Sequence, residues 1–228
     1  MGLPEFDACI FDMDGLLLDT EHLAVWGWIT AARSFGFEIA EDIVLSTVGL
    51  DRTQTDHLLG DLMGGDFPVK EVRDLRNRLI LDRIDRDGVP VKPGARELIG
   101  LLRSRNIPCA VATSTQRSRA DHLLGKSLIL PNLSAVVCGD EIPNAKPAPD
   151  IYREAARLLS VPTSACLVFE DSAPGITAAH RAGTIPILVP DLGHVPNAAR
   201  AHAVIICDSL SDAIPLVDHA LRFFADRT

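Results

Sequence analysis

The sequence predicts an α/β protein, a doubly wound parallel sheet interrupted by an all-helical insert. Three observations carry that prediction. Six short apolar runs rich in β-favouring residues punctuate the chain, helical patterns separate the later ones, and about a hundred residues between the first two runs contain no convincing strand.

The runs span 7–11, 109–113, 135–138, 166–170, 185–189 and 204–207. Each is continuous rather than alternating, as expected of parallel strands covered on both faces. Among the helical patterns, 94–105 carries a Leu/Ile stripe and 150–160 starts at Asp150, a residue suited to an N-cap. Residues 173–182 are followed by Gly183, suited to a left-handed C-terminal cap. Strands alternating with helices give the doubly wound arrangement.

The interval that breaks the alternation reads as helices over 20–35, stopped by Gly36, then 53–62 and 69–85. The last has Val69, Val72, Leu75 and Leu79 at helical spacing. The predicted organisation is therefore a core of 1–19 and 90–228 and a helical cap of 20–89, closing near Pro90 and Pro93. An insert after the first strand falls at the carboxyl ends of the strands, where such sheets bind ligands, so a lid is expected. Trp26 and Trp28 are two positions apart and cannot share a helix face, so one is expected in the core.

Composition narrows the function. Hydrophobic residues are 47% and charged residues 23%, which fits a globular chain and argues against disorder. A formal net charge of −9 repels nucleic acid and anionic membrane, so neither is an expected partner. No run approaches the roughly eighteen apolar residues of a membrane span, and the N-terminus lacks a basic segment followed by an apolar stretch. A cytoplasmic location is expected. Cys9, Cys109, Cys138, Cys166 and Cys207 each lie in an apolar run and none is close to another in sequence. They read as buried hydrophobes in a reducing compartment, not as a zinc or redox pair.

The chemistry concentrates at strand ends. Phe11-Asp12-Met13-Asp14-Gly15 places two carboxylates directly after a buried strand. Asp-Gly is also a common turn, so this motif alone is weak. Alternate residues leaving a strand point the same way, however, and would converge two acids on one pocket. One acid could attack as a nucleophile while the other handles protons, with Gly15 turning the backbone around them. Thr113 and Ser114 end the second run and offer hydroxyl and backbone N–H groups to a phosphate. Lys146, after the third, offers a positive charge. Glu170 and Asp171 close the fourth, and acids at two strand ends suit Mg2+, which takes a few carboxylate oxygens and several waters. Singly these could be a helix cap, a surface lysine and a turn; four polar sets at four strand ends of one sheet point to a site.

These motifs resemble the haloacid dehalogenase (HAD) superfamily, in its branch with a helical cap between the first two motifs. That branch contains β-phosphoglucomutase and related sugar-phosphate and nucleotide phosphatases. The matching residues are Asp12-Met13-Asp14-Gly15-Leu16-Leu17-Leu18-Asp19-Thr20-Glu21, Thr113-Ser114, Lys146-Pro147-Ala148-Pro149-Asp150 and Phe169-Glu170-Asp171-Ser172-Ala173-Pro174-Gly175. The resemblance covers nearly the whole chain. It implies a Rossmann-like core and a phosphatase in which Asp12 forms an aspartyl phosphate and Asp14 is the general acid and base. It further implies Mg2+ held by Asp12, the Asp14 carbonyl and Asp171 with Glu170 close by, and Thr113 and Lys146 on the transferring phosphoryl group.

The expected substrate is a small phosphorylated metabolite, and the expected state a monomer or weak dimer. For leaving-group recognition the candidates lie in Gly49-Leu50-Asp51-Arg52-Thr53. Arg52 falls where a β-phosphoglucomutase loop carries an arginine for the substrate's second phosphate, although a solvated arginine near a helix start reads as well. Arg76 and Arg78 read as solvated, and His22 as a residue near the pocket mouth. A phosphomutase is the alternative. By alignment on the first motif, the mutase's hinge histidine is replaced here by Ala24, which favours a phosphatase. A haloacid dehalogenase needs neither Asp14 nor Mg2+. A phospho-accepting signalling module has a similar Asp/Thr/Lys set, but it would be shorter, would lack the insert and would not carry its acceptor on the first strand.

Overall fold

In a computed structural model describing residues 2–48, 50 and 52–225, the six runs form one parallel sheet. The strands are β1 (Ala8–Phe11), β2 (Cys109–Thr113), β3 (Ala135–Cys138), β4 (Cys166–Glu170), β5 (Ile185–Leu188) and β6 (Ile205–Ile206). They lie in the order β3-β2-β1-β4-β5-β6. The helices in chain order are α1 (Thr20–Ser34), α2 (Glu41–Leu45), α3 (Arg52–Met63), α4 (Val69–Asp87), α5 (Ala95–Ser104), α6 (Arg117–Ser127), α7 (Asp150–Leu159), α8 (Ala173–Ala182), α9 (Asn197–Arg200) and α10 (Leu210–Ala225). The predicted α/β sheet with an all-helical insert is the fold observed.

The strand order reverses at β1, which has β2 on one side and β4 on the other. The switch point places the crevice of a doubly wound sheet at the carboxyl end of β1. Register partners fix what arrives there, since Phe11 lies opposite Phe169 and Val111. One sheet face buries Ile10, Ala110, Ala112 and Val168 against Ile151, Tyr152 and Ala155 of α7 and Ala178 and Ala179 of α8. The alanines let these helices lie close to the strands. Phe11 and Phe169 are also fully buried, with rings stacked 5.1 Å apart. Each large apolar side chain so buried contributes about 1.5–3 kcal/mol.

Helix ends near the sheet follow the local chemistry with one correction. Ser172 caps α8 by accepting from the Gly175 N–H at 3.2 Å, and Gly183 ends it in the left-handed region at φ 74°. Asp150, in contrast, is the first residue of α7 and not its N-cap. Pro149 is the N-cap at φ −79°, and the Asp150 carboxylate accepts from Asn144 Nδ2 at 2.9 Å instead. A proline already holds the φ that helix entry needs, which moves the start back by one residue. Helices α2, α6, α9 and α10 were not anticipated. α6 is rich in charged residues and α10 carries Pro215 internally, so neither shows a clean pattern.

The described residues divide into two compact units, Asp19–Pro90 and the sheet-bearing remainder. Where the chain leaves and re-enters the sheet unit the two segments run side by side. Leu18 bridges to Val91, and the Lys92 N–H donates to the Leu17 carbonyl at 2.9 Å.

Within Asp19–Pro90, α1 packs on α4 closely enough that a methyl at Gly27 would meet Ile80 Cδ1 at 2.9 Å. Trp28 is the core tryptophan and Trp26 is half-buried. Arg76 is not simply solvated: its guanidinium lies 5.5 Å from the centre of the Trp28 ring, and Arg83 covers Trp26 at 4.4 Å. Arg78 is exposed. The buried stripe of α4 is Val72, Ile80 and Ile84 together with Arg73, which pairs with Asp56 of α3; Val69, Leu75 and Leu79 are only half-buried. Arg73 is turned inward to Asp56, whose side chain is partly exposed, and the observed stripe is offset from the expected one.

All five cysteines are buried and free. Burial pushes their thiols up, Cys109 to about 12, which keeps them unreactive. Among the described residues no helix is long and apolar enough to cross a membrane.

Candidate active site

Asp12 is the first residue past β1, and its N–H donates to the Phe169 carbonyl at 3.0 Å. It therefore enters the crevice from the middle of the sheet, and its side chain is buried. Lys146 reaches it across 134 residues of sequence: Nζ lies 2.5 Å from Asp12 Oδ1, 2.6 Å from Glu170 Oε1 and 3.0 Å from the Ala112 carbonyl. An ammonium has three donors, and all three are used. Its charge also lies 5.1 Å from the centre of the Tyr152 ring.

Glu170 ends β4 fully buried, where a lone carboxylate would be costly. Its oxygens are surrounded by donors. Oε1 accepts from Lys146 and from the Tyr152 hydroxyl. Oε2 accepts from Ser172 Oγ at 3.0 Å and from the Asp171 and Ser172 N–H groups at 3.1 and 3.2 Å. Gly175, in the first turn of α8, lies against this carboxylate so closely that no side chain fits there.

Asp14 stands on a tight turn. Gly15 adopts φ 81°, open to glycine at little cost, and donates to the Leu18 carbonyl at 2.9 Å. Asp14 Oδ2 accepts from Thr115 Oγ1 at 2.7 Å, with Thr113 Oγ1 at 3.4 Å from the same oxygen. The Asp171 carboxylate packs against Gly15, where an added Cβ would strike it.

The charges are unbalanced. Asp12, Glu170 and Asp171 confront one ammonium. Burial pushes the Asp12 carboxyl up to about 7, with Lys146 pulling it back and Glu170 pushing it further. Burial, then Glu170 and Asp12, hold Asp171 well above the usual carboxylate range. Burial works against the charge of Lys146, yet Asp12 and Glu170 hold its pKa well above that of a free lysine.

A buried acid at the end of the central strand, a lysine locked onto it and a second acid two residues on have a known setting. A profile of the haloacid dehalogenase-like hydrolases matches residues 6–183. The chain belongs to the haloacid dehalogenase-like hydrolase family. Over 218 residues it is 34% identical to "Probable pseudouridine-5'-phosphatase" of Drosophila melanogaster, covering 91% of each protein. It is 31% identical over 181 residues to "Phosphorylated carbohydrates phosphatase" of Thermotoga maritima, covering 78% of this chain and 82% of that one. The fold matches that of the β-phosphoglucomutase of Clostridium difficile at a TM-score of 0.68 and 21% identity, over 96% of this chain and 99% of that one.

HAD membership implies a divalent metal, and the donor chemistry fits one. Three crowded carboxylates with one ammonium favour an added cation, which would pull the Asp12 and Asp171 carboxyls back down toward the ordinary carboxylate range. Among the described residues no three acidic, histidine or cysteine side chains converge as a ready-made cage. An ion here would take few carboxylates and complete its shell with backbone oxygen and water.

The sheet unit thus brings together Asp12, Asp14, Thr113, Lys146, Glu170 and Asp171. Ser114 is exposed, and its backbone lies too close to Gly139 for a side chain at that glycine. Arg52 opens α3, exposed, in the Asp19–Pro90 unit. Gly49 lies outside the described residues. His22 is exposed and its Nδ1 is 2.6 Å from Asp19 Oδ1. Sequence reasoning missed Thr115 and Tyr152, and gave Ser172 no role although it lies in the matched fourth motif. Two signals were available: Thr115 stands two residues past Thr113, and Tyr152 follows the Lys146-Pro147 motif in the first turn of α7.

Proposed function

We propose that this HAD-like phosphatase hydrolyses a small phosphomonoester, of sugar-phosphate or nucleotide type, through an aspartyl phosphate on Asp12. An Asp12 oxygen attacks phosphorus as the bond to the leaving oxygen breaks, and Asp14 gives that oxygen its proton. Asp14 then takes a proton from the water that attacks the aspartyl phosphate, releasing phosphate and restoring Asp12. Splitting the displacement in two gives each half a modest barrier. The bond of Asp12 to Lys146 supports an ionised, oriented nucleophile.

Thr113 and the Ser114 N–H would bind phosphoryl oxygens. Lys146 would supply positive charge beside them, sharing one of its three bonds with the substrate. Asp12, the Asp14 carbonyl and Asp171 would hold Mg2+, with Glu170 acting behind them through Lys146. Mg2+ would neutralise charge on the transferring group and orient it. Arg52 and Gly49 are the candidates for contact with the leaving group. The names of the Drosophila and Thermotoga relatives support a small phosphomonoester as substrate. Ala24, in place of the mutase histidine, supports hydrolysis over transfer.

The observation that carries this reading is the pair of acids from one strand end held for different work, Asp12 by an ammonium and Asp14 by hydroxyls. The test is phosphate release from a panel of sugar phosphates and nucleoside monophosphates with and without Mg2+, for the native protein and Asp12→Asn. The amide is a far poorer nucleophile, so the variant should keep its fold and lose essentially all turnover. Substantial Mg2+-dependent activity in folded Asp12→Asn would refute the mechanism.

A further inference from the structure

We infer that Thr115 is a positioning residue for the proton-transfer carboxylate of Asp14. The inference rests on the reading of Asp14 as general acid and base. Thr115 Oγ1 donates to Asp14 Oδ2 at 2.7 Å across 101 residues of sequence. Thr113 Oγ1 is farther from the same oxygen, at 3.4 Å, and accepts from the Thr115 N–H at 3.0 Å. Thr115 thus makes the short contact, and Thr113 holds the backbone that aims it.

The local structure makes this use of the hydroxyl specific. Near a helix start the helix's own open N–H groups compete for a threonine hydroxyl. Here α6 starts at Arg117 with no side-chain cap from its N-cap Gln116, and the Arg117 N–H donates to Asp140 at 3.0 Å. The Thr115 hydroxyl is turned the other way, to Asp14. Its backbone is pinned as well. The Gly139 N–H donates to the Thr115 carbonyl at 3.1 Å, and Gly139 packs on the Ser114 backbone with no room for a side chain.

A carboxylate on a glycine turn can rotate about its last bond, and that rotation sets the distance and angle to a leaving oxygen. A hydroxyl fixed on Oδ2 removes this freedom. Loss of alignment matters most where the leaving oxygen needs the proton most, because general-acid assistance grows with the basicity of the leaving group.

The experiment measures kcat/KM, which reports the steps up to leaving-group departure, on p-nitrophenyl, phenyl and glycerol phosphates with Mg2+. The proteins are native, Thr115→Val, Thr115→Ser and Asp14→Asn. Thr115→Val should lose roughly ten- to a hundred-fold on phenyl and glycerol phosphates, the worth of one hydrogen bond to a charged group, and much less on p-nitrophenyl phosphate. Thr115→Ser, which keeps the hydroxyl, should stay near native throughout. Should Thr115→Val not fold, judged by its melting curve, Thr115→Ala carries the same comparison. An equal loss on all three substrates, while Asp14→Asn still falls most steeply on the poor leaving groups, overturns the positioning role alone. A flat response in Asp14→Asn overturns the reading of Asp14, and this inference with it.

Discussion

Replacing Lys146 by methionine keeps the apolar stem of the side chain and removes its charge. The native ammonium lies 2.5 Å from Asp12 and 2.6 Å from Glu170, and all three side chains are nearly closed to water. The variant leaves two buried carboxylates with no cation between them. Breaking a buried pair by removing one partner costs about 3–5 kcal/mol. At about 2–4 °C per kcal/mol for a chain of this size, the melting temperature should fall by roughly 6–20 °C. The sign of its pH dependence follows from Asp12. Burial holds that carboxyl at about 7 in the native protein, and losing Lys146 moves it higher. Well below pH 7 the folded acid is protonated in both proteins and contributes nothing to their difference. As pH rises past about 7 the native acid ionises and the variant's does not, so the deficit grows by about 1.4 kcal/mol per pH unit until the variant's own pKa is reached. Thermal melts of both proteins in chelator, run below and above pH 7, check this, and Mg2+ should return part of the loss. Equal melting temperatures at all pH values would show that Lys146 does not hold these acids. A deficit independent of pH would show that Lys146 does not set the ionisation of Asp12 and would leave the loss with its bonds to Glu170 and the Ala112 carbonyl.

Asp171→Ala should raise the Mg2+ concentration needed for half-maximal activity and lower the maximal rate, because a carboxylate leaves the proposed metal shell. An unchanged magnesium titration would remove Asp171 from that shell. Arg52→Ala should lower catalytic efficiency on the best natural substrate by roughly ten- to a hundred-fold, or about 1.5–3 kcal/mol, while p-nitrophenyl phosphate is nearly indifferent. Equal losses on both substrates would move Arg52 from leaving-group recognition to a role shared by all substrates.

Much of the candidate site was legible because its residues sit where local pattern and chemistry coincide. Asp12, Thr113 and Glu170 each stand at the end of an apolar run, and the end of a parallel strand is where a doubly wound sheet presents its ligands. Gly15 and Gly183 marked turns that do take positive φ. Thr115 and Tyr152 were not legible in the same way. A threonine near a helix start and a tyrosine on an apolar helix face have ordinary structural explanations, and only their partners distinguish them. Helix α6 escaped notice because its surface is charged and its apolar residues are few, although Leu123 and Leu124 are buried.

The sequence by itself determined the parallel sheet, the helical interruption after the first strand and the acids, hydroxyls and lysine that meet at the strand ends. These follow from runs of a few residues, whose burial and backbone preferences are set by near neighbours. Only the tertiary structure decided how those groups are spent. Lys146 commits its three donors to Asp12, Glu170 and the Ala112 carbonyl, and the Thr115 hydroxyl turns from its own helix to Asp14. Those contacts join residues 134 and 101 positions apart, and they exist because β1 lies between β2 and β4 in the sheet. Side-chain patterns report which face of an element is buried. Which oxygen meets which donor depends on the order of the strands and the way each chain turn leaves them, and no local run of residues encodes that.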